Sequence, residues 1–126
     1  MEAMATPIRT SGQAEAAPLR DRPLLDDHEA AGVAALFKVL SGTTRLRLLH
    51  ALSRAEEVRV SDLAAAVDMS QQGVSNQLQR LVDQKILATR REGTSIYYRI
   101  VDPCVPRMLE FGLCLLESPG NACGQP

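Results

Sequence analysis

A chain of 126 residues, 45% hydrophobic and 23% charged, is long enough for one domain and short for two. With two Phe, two Tyr and no Trp its core must be aliphatic, which suits packed helices better than an all-β sandwich, and no apolar run nears the roughly 20 residues of a membrane span. Net charge is −1, yet residues 38–99 carry ten basic and six acidic side chains while both ends are acidic, so the middle of the chain remains compatible with phosphate binding. No apolar leader opens the sequence, and a cytoplasmic protein with reduced cysteines is expected.

Residues 1–23 are rich in Ala, Pro, Arg and Glu without a steady period and read as a mobile arm. Residues 24–117 are the expected domain, and 118–126 a short tail. Asp26 and Asp27 precede a first helix, α1, that runs to Leu40 with Ala30, Val33, Ala34 and Phe37 on one side. Ser41-Gly42-Thr43 breaks it. Thr43 or Thr44 can cap a second helix, α2, in which Leu46, Leu49 and Leu52 are apolar and Arg45, Arg47 and Arg54 are not. Val58-Arg59-Val60 alternates as a very short strand. Ser61 is an N-cap candidate for α3, which ends near Val67-Asp68. Ser70 caps α4, which runs to about Gln84. Residues 86–91 and 95–101 alternate around Glu92-Gly93-Thr94 and read as a β-hairpin, with Arg90 and Arg91 at its tip and Arg99 on the return strand. Asp102-Pro103 opens a last helix, α5. Val105, Met108, Leu109, Gly112, Leu113, Leu115 and Leu116 make it apolar almost all round. So apolar a helix at the end of a small domain needs a partner surface, and the simplest is its own copy in a homodimer.

The stretch from Ser61 to Leu81 reads as a helix-turn-helix. On α4, Val74, Leu78, Leu81 and Val82 form an apolar stripe, while Gln72, Ser75, Asn76 and Gln79 form a second stripe at i, i+3, i+4, i+7. Those four donate and accept hydrogen bonds without carrying charge, which is the chemistry needed to read base edges in a major groove. An ordinary solvated face would more often carry Glu and Lys. A two-stranded hairpin directly after such a helix is the wing of a winged-helix domain. The candidate DNA contacts are therefore Ser70, Gln71, Gln72, Ser75, Asn76 and Gln79, with Arg90 and Arg91 on the wing.

Three segments together resemble the ArsR/SmtB family of metal-responsive winged-helix repressors: Leu36 to Leu49, Ser70 to Leu78, and Arg91 to Arg99. The resemblance covers roughly residues 29–117. It implies a mainly α fold in the order α1-α2-α3-α4-β-β-α5, dimeric through the first and last helices. The implied activity is to sit on a palindromic operator, double-stranded DNA, and block transcription until an inducer binds. Two departures stand out. Asn76 occupies a place where many relatives carry His; Asn can pair bidentately with adenine, so reading is retained with an altered preference. Many family sensors also carry a Cys-x-Cys pair at the start of the third helix, where this chain has Val58-Arg59-Val60-Ser61-Asp62.

All three cysteines, Cys104, Cys114 and Cys123, fall in the last 23 residues. Soft thiolates favour thiophilic ions, and with no His nearby the set favours mercury, arsenic, lead or cadmium over nickel or cobalt. Sulfurs that share an ion must lie within about 4 Å of each other. Cys104 and Cys114 are about 15 Å apart along a helix, so they cannot clasp one ion from the same helix. Two antiparallel copies would bring Cys104 of one level with Cys114 of the other, with Cys123 swinging in from its tail. The family's last-helix site begins with an Asp and a second ligand two residues later, which map onto Asp102 and Cys104; Cys114 falls one position short of the family ligand, and Glu117 is out of register. His28 and His50 read as structural.

Three other readings compete. A thiol redox repressor of the same fold would be released by cross-linking of cysteines. A winged-helix protein-interaction module would have lost DNA binding, against the polar stripe and the basic wing. An enzyme would need a catalytic motif around the cysteines and histidines, and none frames them.

Overall fold

The first helix begins at a reciprocal cap. The Asp26 amide donates to Glu29 Oε1 at 3.1 Å, and the Glu29 amide donates to Asp26 Oδ1 at 2.8 Å. Both donors would otherwise be left over at the helix start. In this computed structural model, which describes residues 17–117, α1 runs Asp27–Leu40. Residues 1–16 of the expected arm, the 118–126 tail and Cys123 lie outside the described residues. A single 3-10 turn at Leu19–Asp21 precedes α1. The chain divides into two units between Lys38 and Val39, inside α1. In the first, every side chain from 17 to 38 is exposed, Val33, Leu36 and Phe37 among them.

The second unit holds α2 (Thr43–Ser53), β1 (Val58–Arg59), α3 (Val60–Val67), α4 (Gln71–Asp83), β2 (Leu87–Glu92), β3 (Ser95–Ile100) and α5 (Cys104–Glu117). This is the expected helical order with a hairpin before the last helix. The sheet has the order β1-β3-β2 and is antiparallel throughout. The hairpin turns through Gly93-Thr94, with Glu92 opposite Ser95 and Gly93 at φ 63°, a left-handed conformation natural to glycine.

Two caps differ from the sequence reading. Neither Thr43 nor Thr44 caps α2; Gly42 occupies that place with φ 125° and no side-chain bond. A backbone at that φ is one that side-chain-bearing residues rarely adopt, which suits a glycine at 42. The first turn of α2 closes through Leu46 N on Gly42 O at 2.9 Å. Likewise α3 starts at Val60, so Ser61 lies inside its first turn and Arg59 precedes it without a capping side chain. Val60 is buried in the core, and the helix starts two residues further back than a Ser61 cap would allow.

The core is aliphatic, as the composition requires. Leu48, Leu49 and Leu52 of α2, Leu63 of α3, and Val74, Leu78 and Leu81 of α4 are at most 1% exposed. Tyr98 brings β3 into the same cluster and Val105 brings in the start of α5. No charged side chain is buried among the described residues. Leu78→Ala should therefore cost about 2–5 kcal/mol, the range for truncating a fully buried leucine, read as a lowered urea midpoint at unchanged slope.

Candidate nucleic-acid interface

Burial of Val74, Leu78 and Leu81 fixes which way α4 presents its other side. Gln71, Gln72, Asn76 and Gln79 are exposed on that side, and Ser75 is half-buried at its edge. Ser70 caps the helix: its Oγ accepts from the Gly73 amide at 3.0 Å. A Cβ at Gly73 would stand 3.0 Å from Met69 Cε and 3.1 Å from Ser70 Oγ, so a side chain there would press on the capping hydroxyl. Along the exposed side Gln72 Nε2 donates to Asn76 Oδ1 at 3.0 Å, and Gln79 Nε2 donates to Asp83 Oδ1 at 2.9 Å. These i, i+4 bonds hold the amides in order while leaving further donors and acceptors facing outward. Ser75 Oγ lies 3.5 Å from the hydroxyl of Tyr98, which ties the helix to β3.

The two wing arginines project to opposite faces of the hairpin. Directly paired residues of antiparallel strands share a face. Leu87, Thr89 and Arg91 therefore lie with Ile100, Tyr98 and Ile96, on the face turned to the core and α4. Ala88, Arg90 and Glu92 lie with Arg99, Tyr97 and Ser95 on the other. Arg91 is exposed and has no hydrogen-bond or ion-pair partner among the described residues. Arg90 is fully engaged, with Glu57 at 2.7 and 3.0 Å and Glu92 at 2.8 Å, and its guanidinium sits 4.5 Å from the centroid of the Tyr97 ring. The hydrogen bonds from Arg90 hold Glu57 below the ordinary carboxylate range. A carboxylate lowered in the folded chain keeps its partner above that value and loses it only as pH falls through it, so the pair is intact at neutral pH.

Several structurally decisive residues carry no local sequence signal. Arg45, read above only as a polar position of α2, is half-buried and donates to the carbonyls of Val39 and Ser41 and, at 3.2 Å, to Gln77 Oε1 of α4. It thereby fixes α4 against the junction between α1 and α2. Glu57, the partner of Arg90, likewise carries no local signal.

The thiols are placed less completely. α5 is one continuous helix from Cys104 to Glu117, so Cys104 and Cys114 do lie about 15 Å apart along its axis. The Cys104 amide donates to Asp102 Oδ1 at 2.9 Å, and its thiol is free and exposed. Cys114 is half-buried and disulfide-bonded, against the expectation of a reduced thiol. Two sulfurs close enough to share a soft ion are also close enough to oxidise to a disulfide. Cys123 is outside the described residues. No group of three or more His, Cys, Asp or Glu capable of holding a metal forms among the described residues, and His28 and His50 are both exposed. Of α5, only Val105 is buried; Phe111, Leu113, Leu115 and Leu116 are 41–76% exposed.

Comparison with known proteins places these features in a lineage. A family model described as the MarR family matches residues 40–95, from the end of α1 through the turn of the wing. The "Transcriptional repressor SmtB homolog" of Synechocystis sp. is 37% identical over 105 residues, spanning 73% of this chain and 79% of that protein. Among solved structures, that of the AntR antimony-specific transcriptional repressor is 57% identical with a TM-score of 0.71, covering 90% of this chain and 96% of the other. The homodimeric winged helix-turn-helix DNA-binding domain Mb0332 of Mycobacterium bovis, described as a possible ArsR-family regulator, is 31% identical with a TM-score of 0.63, covering 76% and 91%.

Arg45→Met keeps the side-chain stem and removes the bonds to Val39 and Gln77. It should lower stability by about 1–3 kcal/mol, the usual cost of leaving part-buried polar partners unmatched, as measured by urea unfolding followed by circular dichroism.

Proposed function

The chain belongs to the ArsR/SmtB family of winged-helix transcriptional repressors, and from that membership we propose that it binds a palindromic operator as a homodimer and leaves it when C-terminal cysteines take up a thiophilic metal or metalloid. The working unit is the 24–117 domain, with 1–23 as its arm and 118–126 as its tail. One observation carries the DNA-binding part: Gln72, Asn76 and Gln79 stand exposed on a helix whose other side is locked in the core. Uncharged amides reach both donors and acceptors of a base edge. Ser70 and Gln71 approach the backbone at the helix start, Ser75 supports from the edge, and Arg91 supplies charge from the wing.

A second copy is the natural cover for α5. Phe111, Leu113, Leu115 and Leu116 are exposed together on one short helix, and isolated apolar patches of this kind mark interfaces. The donor set fits a soft ion: Cys104 offers a free, exposed thiol at the start of α5, and Cys114, once reduced, a second. Their separation along one helix supports placing them on different copies within a shared site, with Cys123 as the third candidate. When bound, the ion supplies bonds between thiolates of the two copies. The chain's own residues do the rest. Asp102 holds the first turn of α5 around Cys104, the apolar face keeps the two helices side by side, and their relative position sets the spacing of the paired recognition helices. The 57% identity to an antimony-specific repressor puts trivalent metalloids, antimony and arsenic, ahead of mercury, lead and cadmium as inducers.

The disulfide at Cys114 favours a second reading, in which oxidation rather than metal triggers release. Parallel titrations of the reduced protein on a duplex selected from a random pool separate the two. Metalloid should release DNA in reductant, and peroxide should not be required; release by peroxide alone supports the redox reading. Cys104→Ser should bind the same duplex as tightly as the parent and fail to let go when antimony or arsenic is added. Persistence of release in that variant would remove Cys104 from the site. Asn76→Ala should weaken binding to the selected duplex by about 1–3 kcal/mol, and much less to a scrambled one, in fluorescence anisotropy. Equal losses on both duplexes would make Asn76 a phosphate contact.

A further inference from the structure

The outer face of the wing carries a cluster that the proposed DNA surface does not use. Arg90 leaves β2 on the side opposite the buried Leu87 and Tyr98 and lies over the Tyr97 ring of β3. It ends on Glu57, just before β1, with Nη2 at 2.7 Å from Oε1 and Nε at 3.0 Å from Oε2. Its remaining nitrogen, Nη1, holds Glu92 at 2.8 Å. The cluster therefore straps all three strands from outside. Backbone pairing ties β1 to β3 at only two positions, Val58 with Tyr98 and Arg59 with Tyr97. Residue Val60, immediately after β1, already begins α3, the first helix of the helix-turn-helix. Whatever fixes Glu57 to the wing thus fixes the wing to the recognition unit.

A planar guanidinium bonded through each of its nitrogens to a carboxylate is poorly placed to meet phosphate as well. Two acids flank it, and the charge of Arg99, on the same face of the hairpin, also reaches Glu57. We propose that Glu57 and Arg90 are positioning residues that hold the wing at a fixed angle to the helix-turn-helix, and that Arg91, on the opposite face, is the wing's phosphate contact. This rests on the DNA-binding reading above. The competing role, in which Arg90 serves phosphate and Glu57 restrains it, gives the opposite sign: loss of the Glu57 charge would then tighten binding.

Phosphate contacts are sequence-independent, so the probe is a random-sequence duplex at low salt, titrated by anisotropy over a salt series with the full chain. Glu57→Gln and Arg90→Lys should each weaken binding several-fold with the wild-type salt slope retained, and the double variant should be no worse than either alone. Lysine keeps the charge that a phosphate contact needs and loses the fork that two carboxylates need. Arg91→Ala should flatten the slope by about 0.9 for each bound copy. Glu56→Gln makes the same charge change at an exposed neighbour and should not weaken binding. Amide exchange should quicken in β2 and β3 of Glu57→Gln while α2 and α4 stay protected, a readout independent of DNA. Tighter or unchanged binding by Glu57→Gln, a wild-type Arg90→Lys, or unaltered exchange in the wing would each overturn the proposal. If the parent chain itself ignores the duplex, the DNA-binding reading falls and this one with it; if the parent binds and Glu57→Gln matches it, only this one falls.

Discussion

The orientation of α4 is the constraint on which the remainder depends. Val74, Leu78 and Leu81 pack among Leu48, Leu49, Leu52 and Leu63 with almost no solvent contact, and a helix held by one stripe has no freedom to rotate about its axis. The amides at 72, 76 and 79 are therefore presented outward by the core rather than by any interaction of their own. Arg45 adds a polar pin at one point of this contact, joining Gln77 to the carbonyls at the α1–α2 junction. Hydrophobic burial sets the face, and the hydrogen bonds set the register along it.

Charge is distributed with the same economy. The basic excess of the middle segment suggests a broad cationic surface, yet several of its arginines are occupied. Arg45 serves α4, Arg47 donates to the Ala66 carbonyl at the end of α3, Arg59 lies 3.9 Å from Asp62, and Arg90 is enclosed by two carboxylates. Arg91 is among those left to act on a partner. Two copies on one duplex would double the phosphate contacts open to the remaining cations.

Legibility in the sequence followed interaction range. The helices, the hairpin and the Ser70 cap were readable because periodicity and capping are local, within four residues of each other. Placing α4's polar stripe needed only its 3.6-residue repeat. The misplaced caps of α2 and α3 arose where tertiary burial of Val60 and the positive φ at Gly42 overrode side-chain preference. Glu57 with Arg90 and Arg45 with Gln77 are separated by 33 and 32 residues. Nothing in either local segment names the partner, and Arg90 and Arg91, adjacent in sequence, look equivalent until strand pairing sends them to opposite faces.

Under the proposed metal switch, the C-terminal helix of one chain is an incomplete sensor. Its start is anchored by Val105 in the core and by Asp102 at the Cys104 amide, so the first thiol has a fixed address. Beyond that, Phe111, Leu113, Leu115 and Leu116 face solvent, and Cys114 lies three turns away from Cys104. A rigid helix cannot fold back to join its own two cysteines. The same rigidity becomes useful when a second helix lies alongside, because thiols anchored at opposite ends then report the relative position of two subunits. In the proposed switch, a flexible tail carrying all the ligands would bind an ion equally well and transmit nothing, whereas Cys104 on an anchored turn would couple occupancy of the site to the geometry of the recognition helices.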